Sequence, residues 1–333
     1  MLAKSIGILL ALGTLVAFNA CGLPAGAPKT LTKLTVGYTA AAAAHVPTWM
    51  AKDAGLFEKY GLDVEIIYTA GTKGAASVVS GDAQIVDGAA EHVVSANLAG
   101  ADLVVVSSAF KALQQYLYTS KEINNVQDLK GKTVGITRSG TVTDFAMRWH
   151  LQRAGLVPRT DVAILETGGG AESLAALQAG VIQGAYLSPP ITARARKLGF
   201  KELTNIYAEG LDYSYFSNLV RKPYLSANKD VLRNYLKAYV EGIALVKKDK
   251  ARSKQVIGQY LKMTDEEDLE ESYNLTGDVL EKVPYTNPAG VKLILTELAK
   301  MDPKAQTMRP EDVYDNSLVK ELDDSGFIKK LYQ

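Results

Sequence analysis

One cysteine in 333 residues, at position 21, leaves everything downstream without a disulfide, a thiolate nucleophile or a sulfur-ligated metal. Histidine is almost as scarce. His45, His92 and His150 stand far apart in no metal-ligand spacing, and packing or surface roles account for them. No GxSxG, HExxH, P-loop or GxGxxG pattern occurs. Apolar runs are short: the one from Ile6 to Phe18 falls below what spans a bilayer comfortably. Neither charge dominates, with 37 Lys and Arg against 36 Asp and Glu, a balance that argues against a nucleic-acid partner.

What is present begins with an address. Lys4 precedes the apolar run, and Cys21 follows Ala20 where the run ends, so 1–21 reads as a secretory signal peptide. FNAC at 18–21 resembles a bacterial lipobox, whose cysteine is lipidated after cleavage; ordinary cleavage near Ala20 is the alternative. GLPAGAPKT, rich in Gly, Pro and Ala, reads as a flexible tether over 22–31. The remaining stretch of about 300 residues is long enough for a sizeable core and two lobes.

The stretch 132–156, KTVGITRSGTVTDFAMRWHLQRAGL, organises the rest. TVGIT is short and β-branched, as a buried parallel strand should be, and Ser139, Thr141 and Thr143 offer hydroxyls for a helix start. Val142, Phe145, Ala146 and Trp149 then share one helical face, with Asp144, Arg148 and Gln152 on the opposite, wet one. The helix aims unpaired N–H groups past the strand's carboxyl end, and such an end binds anions. The same phrase occurs earlier: TVGYT starts at Thr35 and TVGIT at Thr133, an offset of 133 − 35 = 98. AGL at Ala54 and Ala154, DV at Asp63 and Asp161, and TAG at Thr69 against TGG at Thr167 keep nearly that distance. Two α/β lobes of equivalent βαβ design follow.

In lobe one, Tyr38 ends the first strand, as a ligand contact or a core residue. Ala40 to Ala44 make a small-residue loop open to close approach, and Pro47 suits a first helical turn. Gly71 to Gly74 form the second turn, with Thr72 a candidate cap and Lys73 solvated or, as the alternative, facing an anion. AQIVDGA brings Asp87, Gly88, Ala89 and Ala90 to a strand's carboxyl end, where open α/β sheets hold ligands. Glu91 opens the next helix as a dipole partner, with contact to a ligand ammonium or N–H the alternative. In lobe two, Gly168 to Gly170 read as a plain turn, while Ser188 and Pro189 take the place of Ala89 and Ala90. DYSYFSNLVRKPYLSAN reads as the extended return crossover, with Tyr213 and Tyr215 on one face, lining the cleft near the hinge or packing against the crossover strand. The tail is helical and should pack on lobe one, which is then discontinuous: 32–117 and 216–333, against 118–215 for lobe two with the crossovers.

The order TVGYT, GLFEKYGLDVEI, GTKGAASVVSGDAQIVDGA, DLKGKTVGI, AGL, LAALQAGVIQGAYLSPP and RKPYL resembles the substrate-binding proteins of bacterial ABC importers. Within these it is similar to the branch carrying aliphatic sulfonates, nitrate, taurine and pyrimidine precursors of thiamine. The resemblance spans nearly all of 31–333. It implies the two-lobed periplasmic-binding-protein (type II) fold, each lobe a mixed sheet flanked by helices, joined by two crossover strands. It also implies a monomer that hands a small molecule to permease and ATPase subunits; with the lipobox at Cys21 the expectation is a lipid-anchored periplasmic or cell-surface protein, and no cofactor or metal is expected. The family's ligand loops fall on Tyr38, Thr39 and Ala40; Gly71 and Thr72; Gly88, Ala89 and Ala90; Ser139, Gly140, Thr141 and Thr143; and Ser188 and Pro189.

Two facing helix ends would favour an anionic oxygen in the closed cleft. A bulky residue at Thr141 is therefore expected to weaken binding and spare thermal stability. Two other readings stand beside the importer: a ligand-sensing ectodomain, which would call for a signalling or transmembrane segment, and a pyrimidine-precursor-forming enzyme of the same fold.

Overall fold

The computed structural model describes residues 30–110 and 112–333. The expected signal peptide, Cys21 with its lipobox, and most of the expected tether lie outside the described residues.

The chain lays down β1 (Thr32–Tyr38), β2 (Leu62–Tyr68), β3 (Ile85–Gly88) and β4 (Leu103–Phe110), crosses to β5 (Tyr116–Thr119), β6 (Thr133–Ile136), β7 (Ala163–Glu166), β8 (Gly184–Leu187) and β9 (Lys201–Asn205), and returns with β10 (Tyr215–Arg221). Hydrogen bonding sorts these into two five-stranded sheets, β2-β1-β3-β10-β4 and β7-β6-β8-β5-β9. Each sheet has a parallel core of three strands, and each takes one strand antiparallel to that core just beyond a crossover: β10 in the first, β5 in the second. Helices follow the parallel strands, so both sheets are mixed and flanked by helices.

The repeated phrase marks equivalent atoms. The Thr35 N–H donates to Gln84 Oε1 at 2.8 Å and the Thr133 N–H to Gln183 Oε1 at 3.1 Å. Each glutamine amide also donates to a glycine carbonyl three residues back, Gly81 at 3.2 Å and Gly180 at 2.9 Å. Thr69 and Thr167 both send N–H and hydroxyl to the carbonyl ending the neighbouring strand, that of Tyr38 or Ile136. The glycine of each phrase is required by packing: a Cβ on Gly37 would lie 2.9 Å from Val86 Cγ2, and one on Gly135 2.6 Å from Ile182 Cδ1.

Two details differ from the sequence reading. Tyr116 and Leu117, expected in lobe one, pair with Leu187 and Tyr186 of the second sheet, while Tyr215, expected in lobe two, pairs with Phe110 of the first. KPYLSA, expected to be extended, forms the short helix Lys222–Ala227, because Pro223 sits in its first turn, where a missing N–H costs nothing.

The helical tail packs on the first sheet's side. Tyr235, Leu236, Tyr239 and Ile243 of the helix Lys229–Lys248 are fully buried. Phe57 stacks on Tyr235 at 5.5 Å and Trp49 on Tyr260 at 4.7 Å, each such pair adding about 1 kcal/mol beyond its burial. Gly242 lets this helix sit on the Pro47 carbonyl, 2.5 Å from where a Cβ would stand. The tail also reaches the other sheet's helices. Thr192 donates to Glu271 at 2.9 Å, Lys197 to Asp268 at 2.6 Å, and Lys300 to Gln152 at 2.9 Å.

Candidate functional site

A cavity of about 300 Å³ opens between the two sheets at the carboxyl ends of their parallel strands, small for a ligand pocket but within the usual range. Of the sequence candidates, Thr39, Ala40, Gly71, Gly88, Ala89, Thr141, Thr143, Ser188 and Tyr215 line it. Gly140 and Tyr213 line instead a side chamber of about 190 Å³ between the helices Val142–Arg153 and Pro288–Ala299, which shares Glu91 and Thr141 with the main cavity. Gly71 has φ +57 and would bring a Cβ to 3.8 Å from Arg138 Cδ, so a bare backbone turn of lobe one faces a cation of lobe two across the mouth.

Five candidates lie outside both spaces. Tyr38 packs edge-on against Trp49 at 5.4 Å and His45 at 5.5 Å. Thr72 is exposed and caps nothing. Ala90 is wholly buried in the core. Ser139 turns outward, donating to Glu166 at 2.5 Å and accepting from Arg159 at 3.2 Å. Pro189 is buried behind Ser188. Asp87, read as part of the wall, turns inward to accept from the Thr48 hydroxyl at 2.8 Å.

The helix starts Ala89–Ala90, Thr141–Val142 and Gly169–Gly170 point at the cavity, and none carries a side-chain cap. Their first N–H groups have no intrahelical acceptor. Thr141, expected to contact a ligand, has its hydroxyl engaged within the protein. Its hydroxyl donates to the Arg138 carbonyl at 2.7 Å and lies 2.9 and 3.0 Å from those of Thr137 and Thr143. Buried at the centre of this knot, it is structural as well as cleft-lining, so a bulky replacement should cost stability too. Asp144, expected on the wet face, is buried; it accepts from the Gly140 N–H at 3.0 Å and from Arg148 at 2.7 Å.

Charge at the rim is mixed. Arg138 and Glu172 both line the mouth beside Tyr68, whose hydroxyl is held above its ordinary value by burial and by Glu172, with Arg138 opposing. On the inner wall, burial raises Glu91 to about 7, against the hydrogen bonds of its own backbone and Tyr213. Burial lowers His92 to about 4, so the ring is neutral at pH 7. His150 is buried against the Tyr186 hydroxyl, the packing role expected of it. No group of three or more His, Cys, Asp or Glu suited to a metal occurs among the described residues.

The family model described as NMT1/THI5 like matches residues 42–252. The chain belongs to that family. YtlA of Bacillus subtilis (strain 168) is 24% identical over 218 residues, 63% of this chain and 65% of YtlA, so the match spans slightly under two thirds of that relative. The fold is similar to the periplasmic aliphatic sulphonate binding protein SsuA from Escherichia coli, at 20% identity and TM-score 0.67 over 84% of this chain and 89% of that one. It is likewise similar to the periplasmic nitrate-binding protein NrtA from Synechocystis PCC 6803, at 14% identity and TM-score 0.71 over 91% of each. The resemblance carried by the sequence motifs therefore holds for family and fold: this NMT1/THI5-like chain has the two-lobed periplasmic-binding-protein fold.

Sequence reasoning missed Tyr68, His92, Gln115, Thr137, Arg138, Glu172, Tyr186 and Phe216 in the lining of this family member's cleft. The strand-end rule, applied evenly, would have found several of them. Tyr68 ends β2, Thr137 and Arg138 follow β6, and the Gly168–Gly170 turn, read as plain, follows β7 and also lines the cavity. Gln115 precedes β5 rather than following a strand, and no sequence rule marks it.

Proposed function

We propose that this chain is the extracytoplasmic solute-binding component of an ABC importer, closing its two lobes on a small organic molecule that bears an oxyanion and delivering it to a membrane permease. The observation that carries this reading is the convergence of three uncapped helix starts on one interlobe cavity. Their N–H groups, with Arg138 at the mouth, can satisfy a sulfonate or carboxylate, as helix ends commonly do. First-turn carboxylates Glu91, Asp144 and Glu172 offset part of each helix dipole, so directed hydrogen bonds, not net positive field, would hold the anion. Closure follows if the ligand bridges both lobes and so binds the closed form more tightly. Among the described residues no helix is long and apolar enough to cross a membrane; in this reading lipidated Cys21 anchors a monomer, and the lobe built on the first sheet, with the helical tail, moves against the lobe built on the second.

A thermal-shift screen of the purified protein against sulfonates, nitrate, taurine, aromatic carboxylates and pyrimidines tests the reading, followed by uptake of the best binder in a deletion strain. At least one oxyanion should raise the melting temperature in a concentration-dependent way, and the deletion should abolish its uptake. A screen in which no oxyanion stabilises the protein would refute the reading.

A further inference from the structure

We infer that the solute carries N–H donors as well as an oxyanion, the donors meeting Glu91 and Gln115 on the inner wall of the cleft; this rests on the solute-binding reading and narrows it. Both side chains are only 3% exposed, and both line the cavity. They arrive from different directions, Glu91 from the first turn of the helix Ala90–Leu98 and Gln115 from the crossover into β5. Each has one polar atom engaged within the protein. The Tyr213 hydroxyl donates to Glu91 Oε2 at 3.1 Å, and Gln115 Nε2 donates to the Tyr215 hydroxyl at 3.1 Å. Apart from the bond that the Glu91 carboxyl takes from its own backbone N–H, Glu91 Oε1 and Gln115 Oε1 are left buried without a partner. Buried acceptors are rarely left so in a folded protein; the amide oxygen accepts only, as does the carboxylate once ionised, so each calls for a donor.

The neighbouring groups agree. His92 lines the same wall with neither ring nitrogen bonded. Because burial keeps the ring neutral at pH 7, it adds no positive charge to compete with a ligand ammonium. Burial raises Glu91 to about 7, and an ammonium placed beside it would favour the ionised form. Across the cleft donors dominate, where the two uncapped helix starts of lobe two, with Arg138, add to that of Ala89–Ala90. Arg138 is opposed by Glu172 at the rim, so the lining has no strong excess of either sign. Such a site fits a molecule with acceptors at one end and donors at the other better than a plain anion. The donor could be a protonated amine or the N–H face of a heterocycle, since both present the same hydrogen-bonding chemistry.

Matched ligand pairs separate these. Isothermal titration would compare 2-aminoethanesulfonate with ethanesulfonate, 3-aminopropionate with propionate, and 4-aminopyrimidine-5-carboxylate with pyrimidine-5-carboxylate. The N-trimethyl derivative of 2-aminoethanesulfonate keeps the positive charge and removes the N–H. In at least one pair the amino member should bind tenfold or more tightly, an aliphatic pair pointing to the ammonium and the pyrimidine pair to the heterocycle. Trimethylation should abolish the advantage of an aliphatic amine. Glu91→Gln, checked by circular dichroism for intact folding, should shrink the preference to under threefold, and Gln115→Leu should reduce it by a separate step. Equal binding within every pair, or full affinity of the trimethyl compound in place of the amine, would overturn the inference while leaving oxyanion binding in place. Binding of no member would overturn both.

Discussion

The two lobes share a scaffold and differ in what they show the cleft. Gln84 and Gln183, Thr69 and Thr167, and Gly37 and Gly135 perform the same bonds and the same close packing in each. These residues hold a strand end and its following turn in place, a task unchanged by the ligand. At the cleft the equivalence stops. Lobe two presents a hydroxyl knot of Thr137, Thr141 and Thr143 with Arg138 beside it, whereas lobe one presents Glu91 and His92 behind an alanine-rich loop. Positions that support the backbone stayed alike, and positions free of that duty carry the chemistry.

The largest expected effect breaks the comparison at lobe one's inner wall. Burial puts Glu91 at about 7 in the folded protein against an ordinary 4.5. A carboxyl raised on folding contributes its stability below the unfolded value, and that contribution is lost as pH rises from about 4.5 through about 7. The loss amounts to roughly 3 kcal/mol when complete, at about 1.4 kcal/mol per unit. His92, lowered to about 4 from 6.5, acts in the opposite sense: its share is present above 6.5 and lost as pH falls through 4. The difference between wild type and Glu91→Gln in urea melts isolates the glutamate, and the variant should gain on wild type across that window. A difference curve flat in pH would mean the carboxyl is not buried uncharged.

Gly242→Ala separates the lobes next. Only lobe one leans on the tail helix at this point, and the new methyl would meet the Pro47 carbonyl, which cannot swing aside as a side chain can. A loss of about 1 to 3 kcal/mol is expected, with amide protection falling in β1 and β3 before β6 and β8. Equal loss of protection in both sheets would show that the lobes unfold as one unit.

The smallest effect sharpens the likeness. Gln84→Ala and Gln183→Ala each remove one bond to a strand N–H, that of Thr35 or Thr133, and one to a glycine carbonyl. Each should cost about 1 kcal/mol, and denaturant midpoints of the pair should agree within error. A clear gap between them would end the claim that the two glutamines are equivalent.

Much of the fold was legible because it repeats. TVGYT and TVGIT sit on β1 and β6, the TAG and TGG turns bind them alike, and strand carboxyl ends do line the cavity. The site was legible only as a set of loops. Tyr38 ends its strand as expected, yet its ring turns to Trp49. Ser139 belongs to the right turn but bonds to Glu166 on the outside. Thr141 lies in the right place with its hydroxyl already engaged. Spacing places a residue at a strand end, while the direction of its side chain depends on neighbours distant in sequence.

By itself, the order of residues determined two duplicated sheet-and-helix units, their turns and the helical tail, because periodicity and turn chemistry act between residues close along the chain. Tertiary structure alone decided that Glu91 would meet Tyr213, 122 positions away, that Gln115 would meet Tyr215, 100 away, and that both would retain an unpartnered oxygen. Burial and hydrogen-bond satisfaction are properties of assembled surroundings, and no local pattern encodes them.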